Sequence, residues 1–136
     1  MNINSKNNEG KTPFAIACDE EEIELIRYFC QQDTCLVKSI LLSQARRNHS
    51  KSVYYLVKYG SLSKSQYSQE TNPLHLSIAL NYVKITKILL KYTPWMMDCA
   101  NSYGMTPKDL ITSTTKSKLV ELFNYSVNEI KQLNKK

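Results

Sequence analysis

The sequence predicts an all-α fold of four helix–turn–helix pairs stacked side by side. Cap-like residues recur at Thr12, Ser39, Asn72 and Thr106, spaced by 27, 33 and 34 residues, and Pro follows three of them. An Asn, Ser or Thr side chain accepts from the free N–H groups of a helix start. Pro suits the first helical position because its missing N–H would have no partner there. Behind each cap, apolar residues fall at three- and four-residue spacing, the signature of an amphipathic helix. Two short antiparallel helices cannot bury their apolar faces by themselves, so each pair needs a neighbour.

The run NPLHLSIALNYVKITKILLKY, from Asn72 to Tyr92, shows the unit at its clearest. Leu74, Leu76, Ile78 and Ala79 predict a short helix ending near Asn81, a residue type that accepts a left-handed turn. Val83, Ile85, Ile88, Leu89 and Tyr92 predict the second helix. In the first pair the inward residues are Phe14, Ile16 and Ala17, then Leu25, Ile26 and Phe29. In the second pair they include Ala45, Val53, Leu56 and Val57. A final helix is expected from Ser117, with Leu119, Leu122, Phe123, Val127, Ile130 and Leu133 forming a stripe that caps the stack.

The frame G-x-T-P-L-H-L-A-A-x-x-G-H-x-x-I-V-x-L-L-L, read through GKTPFAIACDEEEIELIRYFC, the run above and GMTPKDLITSTTKSKLVELF, resembles the ankyrin repeat, whose period is about 33 residues. The resemblance implies one ankyrin-repeat solenoid domain over residues 1–136, with short hairpin-like fingers between repeats. The repeats fall near 3–35, 36–66, 67–100 and 101–136. Gly10 and Gly104 fit the finger turns and Gly60 a helix end. Several places depart from the pattern. Glu21 stands where the repeat has Gly, so its turn is expected to be built differently. The first spacing is six residues short of 33, which calls for a tight or helical connection in place of a finger. Residues 60–71 read as a polar, Ser-rich finger, and residues 1–9 as the end of another. Trp95, Met96 and Met97 sit in a connector and read either as core, the favoured reading, or as an exposed contact surface.

Composition narrows the function. No apolar run approaches the ~20 residues of a bilayer span, and the N-terminus has no apolar core of the secretory kind. Four cysteines occur without a CxxC pair, and Cys18 and Cys30 fall on helix faces as reduced core thiols. That usage points to a reducing compartment, cytoplasmic or nuclear. Neither a nucleophile elbow nor a phosphate-binding Gly loop is present, so a non-enzymatic role without metal or cofactor is expected. His75, in the P-L-H tripeptide, and His49 read as structural.

What remains is recognition of another protein by a monomeric scaffold. The resemblance places the partner-reading surface on the fingertips and on the exposed face of each first helix. Residue by residue that surface is Asn8, Glu9, Lys11, Asp19 and Glu20, then Arg46 and Arg47. Repeat three gives Gln69, Thr71 and Leu80, and repeat four Ser102, Tyr103, Met105 and Ser113. Charge is uneven along the chain. Residues 1–35 hold seven acids and three bases, whereas residues 36–136 hold five acids and fifteen bases. Such a division suits a partner of complementary charge. Nucleic acid is disfavoured, because the bases are mostly Lys and read as scattered. The alternative role is the targeting part of a larger enzyme, or of a pathogen or viral effector acting in host cytosol. The richness in Asn, Lys, Ser, Tyr and Ile is the kind found with AT-rich genomes.

Overall fold

Thr12 opens the first helix as expected: its Oγ1 accepts from the Ala15 N–H at 3.2 Å, and α1 runs over Pro13–Asp19. The computed structural model describes residues 6–32, 34–67 and 69–124, and every regular element among them is helical. α2 spans Ile23–Cys30, α3 Thr34–Arg46, α4 Ser50–Tyr59, α5 Pro73–Ala79 and α6 Val83–Tyr92. A last helix, α7, covers 117–124. The described residues fall into two compact units that divide between Leu62 and Ser63.

In the first unit the α2–α3 connection is closed by helix, not by a finger. Ser39 therefore caps nothing; it lies inside α3, where its hydroxyl donates to the Leu36 carbonyl at 3.4 Å. The turns between paired helices share one geometry. Glu21, Asn48 and Asn81 have φ of 56°, 58° and 59°. The expectation of a differently built turn at Glu21 is thus corrected. A glutamate adopts the left-handed form there, at a cost of roughly 1–2 kcal/mol. Phe14 and Phe29 stack with centroids 5.4 Å apart, and Ile26, Leu41, Val53 and Leu56 are fully buried. Two inward assignments need amending: Ile16 is only half-buried, and Leu25 is 45% exposed. Gly60 ends α4 with extended φ and ψ of −81° and 130°, not left-handed. Its smallness matters for another reason. A Cβ there would meet Val37 Cγ1 at 2.5 Å and the Leu56 carbonyl at 2.6 Å.

In the second unit Asn72 makes the fullest cap. Its Oδ1 accepts from the Leu74 and His75 N–H groups, while His75 Nδ1 accepts from the Asn72 N–H. Residues 64–67 form a 3-10 turn in place of the polar finger, and Tyr67 is buried with its ring 5.8 Å from that of Trp95. A second 3-10 turn, Pro94–Asp98, folds Met96 and Met97 inward, so the core reading holds for both methionines, while Trp95 is half-buried. The first helix of the fourth repeat shrinks to a 3-10 turn, Pro107–Leu110. Leu119 and Phe123 of α7 are buried, while Val127, Ile130 and Leu133 lie outside the described residues.

Candidate functional site

Two loops with the same local grammar, N-x-x-G-x-T-P, carry the fingertip residues. Asn7 Oδ1 accepts from the Glu9 and Lys11 N–H groups at 2.9 and 3.0 Å, and the Gly10 N–H donates to the Asn7 carbonyl. Asn101 does the same with Tyr103, Met105 and Gly104. Gly10 and Gly104 take φ of 79° and 76°, which glycine alone adopts without strain. The asparagines were missed as organisers in the sequence, although their recurrence three residues before Gly10 and Gly104 was there to find. In one unit the loop presents Asn8 and Glu9; in the other it presents Ser102 and Tyr103. Tyr103 is 86% exposed, the barest large apolar side chain described.

The junction between repeats one and two is ionic. Asp19, with its side chain 16% exposed, accepts from Lys11 Nζ at 2.7 Å, Gln44 Nε2 at 3.0 Å and Arg47 Nη1 at 2.7 Å. Burial pushes its carboxyl up, but the hydrogen bonds from Lys11, Gln44 and Arg47 outweigh that and hold it below the usual carboxylate value. Gln44 turns its oxygen to accept from Ser52 Oγ at 2.8 Å and to meet His49 Nδ1 at 2.7 Å. Nδ1 therefore carries a proton. His49 Nε2 lies 3.3 Å from Glu21, which Lys51 also reaches at 3.1 Å. The Glu21 carboxyl is lowered by its hydrogen bonds from Lys51 and His49. So Lys11, Asp19 and Arg47 of the expected surface are joined to one another, while Glu20 and Arg46 are exposed beside them.

The corresponding contacts in the second unit are uncharged. His75 Nε2–H donates to the Met105 carbonyl at 2.8 Å, and Asn72 Nδ2 to the Met96 carbonyl at 3.2 Å. At the far end of α5, Asn81 accepts from the Lys116 N–H at 2.9 Å and donates to the Thr114 carbonyl at 3.5 Å. Burial pushes the His75 pKa below its ordinary value, against the bond to Met105. These contacts pin Met105 at one end of α5, with Leu80, 43% exposed, at the other. Ser113 is exposed but lies in the loop after the 3-10 turn, not on a helix face. Gln69 and Thr71 are exposed just before α5, with Gln69 at φ 58°.

Both histidines therefore have both ring nitrogens committed to partners within their own unit. Among the described residues no group of three His, Cys, Asp or Glu side chains could hold a metal, and no helix is long and apolar enough to cross a membrane. Cys18, Cys30 and Cys99 are free and buried. Burial, and after it Cys30 and Asp19, push the Cys18 thiol up to about 12, and burial pushes Cys30 to about 11.

One expectation about charge is amended. The bases do gather on the outer side of the second helices: α4 carries Lys51 and Lys58, and α6 carries Lys84, Lys87 and Lys91, with no acid on either. Lys58 Nζ lies 5.5 Å over the Tyr54 ring and 5.6 Å over Tyr59, and Arg27 of α2 covers Tyr59 at 5.4 Å.

No protein-family model matches the sequence, and no curated protein does. Among solved structures, the crystal structure of an ankyrin repeat protein is similar, with a TM-score of 0.67 at 17% identity, over 94% of this chain and 69% of that one. The chain has the all-α ankyrin-repeat fold.

Proposed function

We propose that this chain is a non-catalytic module that binds another protein through its fingertip loops and the exposed faces of its first helices. The ankyrin-repeat fold is a general interaction scaffold, which supports the coarse reading. The observation that carries the finer one is Tyr103. A large aromatic side chain stands 86% exposed on a loop whose backbone is fixed by Asn101 and, through Met105, by His75. Exposure of that kind adds nothing to folding, whereas a rigid aromatic anchor suits an interface because little ordering entropy is lost on binding. In the second unit Leu80 and Met105 extend the apolar contact, with Gln69, Thr71, Ser102 and Ser113 as polar surroundings. In the first, Arg46 and Arg47 with Asn8, Glu9, Lys11, Asp19 and Glu20 supply charge selection. The buried free thiols support a reducing compartment, cytosol or nucleus.

The test is partner capture from extract by the full chain, by Tyr103→Ala and by the Arg46→Ala/Arg47→Ala pair. Tyr103→Ala should keep its helical circular dichroism and weaken the captured partner by roughly 2 kcal/mol or more, as interface anchors do. The arginine pair should act mainly on association rate and salt dependence. A partner retained equally by Tyr103→Ala removes that residue from the site.

A further inference from the structure

We propose that the outer face of α2 and α4 is a second binding surface, formed by Arg27, Tyr55, Lys58 and Tyr59, and that its partner is an acidic peptide segment of another protein. Neither fingertip nor first-helix residues contribute to it, so it does not rest on the reading above.

The sequence places SKSVYYLVKY on α4, and helical spacing puts Tyr55, Lys58 and Tyr59 together on the side away from the buried Val53, Leu56 and Val57. Tyr55 and Tyr59 stack nearly parallel, 5° apart in plane with centroids at 6.3 Å, and Tyr54 meets Tyr55 edge-on at 5.1 Å. The guanidinium of Arg27 and the ammonium of Lys58 lie over the Tyr59 ring at 5.4 and 5.6 Å. Arg27 and Lys58 are exposed, and the three tyrosines are half-exposed. The rings thus hold two cations at the surface in fixed places.

That arrangement selects among ligands. Single-stranded nucleic acid binds basic, aromatic surfaces by stacking bases on open ring faces. Here Tyr59 is already covered by Arg27 and Lys58 and stacked with Tyr55, and Lys58 also lies over Tyr54. Glu24 is exposed one turn before Arg27 on α2, so what the ring-held Arg27 and Lys58 offer outward is a local pair of positive charges, which a run of carboxylates meets with charge-assisted hydrogen bonds. The cations are held in advance, so less freedom is lost on binding than from loose lysines. Glu21 lies outside the patch, occupied by Lys51 and His49. In the second unit, Lys84, Lys87 and Lys91 of α6 repeat the charge with one ring contact, Lys91 over Tyr92 at 5.4 Å.

The experiment measures fluorescence anisotropy of a labelled oligo-glutamate peptide, and of a labelled oligo-thymidylate strand of equal length, with the full chain at physiological salt. Arg27→Ala/Lys58→Ala should weaken the peptide about tenfold, as loss of two fixed charges at an interface does. Lys84→Ala/Lys87→Ala/Lys91→Ala removes more charge and should weaken it less. If the double variant loses helicity, Lys58→Gln alone reads the same effect at about threefold. The proposal is overturned by undetectable peptide binding, by equal affinity of the wild type and the α2/α4 variant, by a larger loss in the α6 variant, or by tighter binding of the nucleotide strand.

Discussion

The two units join their helix pairs at equivalent places with opposite chemistry. In the first, Asp19 reaches across to Arg47, and Glu21 to Lys51 and His49, with Lys11 beside Asp19 in its own repeat, so the Arg47 and Lys51 ion pairs hold the turn of repeat one to repeat two. In the second, the repeat equivalent of Glu21 is Asn81. It uses an amide on Thr114 and Lys116 backbone, while His75 bonds the Met105 carbonyl. The backbone is indifferent to the change, since Glu21 and Asn81 share φ of 56° and 59°. The comparison teaches that the repeat fixes the turn's path and leaves the junction's chemistry open. One junction is thereby exposed to salt in a way the other is not.

The largest effects should be those the units have in common. Leu56 and Leu89 occupy the same repeat position, and both are 0% exposed. Leu56→Ala and Leu89→Ala should each cost roughly 2–5 kcal/mol in denaturant melts, through lost transfer energy and the cavity left behind. A cost near zero at either would break the equivalence of the two cores.

The junctions come next. His75→Ala strips the Asn72 N–H and the Met105 carbonyl of their partner and should cost about 1–3 kcal/mol at any salt concentration. Asp19→Asn should cost about 1 kcal/mol or less at low salt, since Lys11 and Arg47 are 36% and 52% exposed, and almost nothing in concentrated salt. Equal salt dependence of the two variants would erase the contrast.

The smallest effect is a difference in order on acidification. His75 titrates in the folded chain below the ordinary 6.5. Its contribution is complete above that value and is lost as pH falls from there through the lowered folded value. Asp19 titrates below the ordinary 3.8, so its contribution is complete above 3.8 and is lost only under stronger acid. Amide hydrogen exchange should therefore show protection around Met105 declining at milder pH than protection around Asp19. Simultaneous loss in both units would mean that these two groups do not set the order.

The fold was readable because caps, periodicity and turn positions are local properties. Thr12 and Asn72 announce their helices, and Leu74, Ile78, Ile85 and Leu89 are buried as their spacing requires. Ser39 misled because a cap residue type is also tolerated within a helix when its hydroxyl turns back to a carbonyl, here that of Leu36. Leu25 misled because its burial depends on what is stacked over that face. Its repeat counterpart Ser52 is fully buried, though less apolar. The surface was only half legible. Exposure of Tyr103 followed from its place in a finger, but the pairing of Asp19 with Arg47 joins residues 28 apart and no local pattern encodes it. The cluster of Arg27, Lys58 and Tyr59 was hidden for the same reason, since two helices contribute to it.

The chain has a single tryptophan, Trp95, and it packs on Tyr67 within the second unit. Its emission is therefore an optical gauge of that unit, blind to melting of the ionic junction around Asp19. Tyrosine emission or circular dichroism sums over the whole molecule, so any gap between such a trace and the indole signal would time the loss of one half against the other without a label.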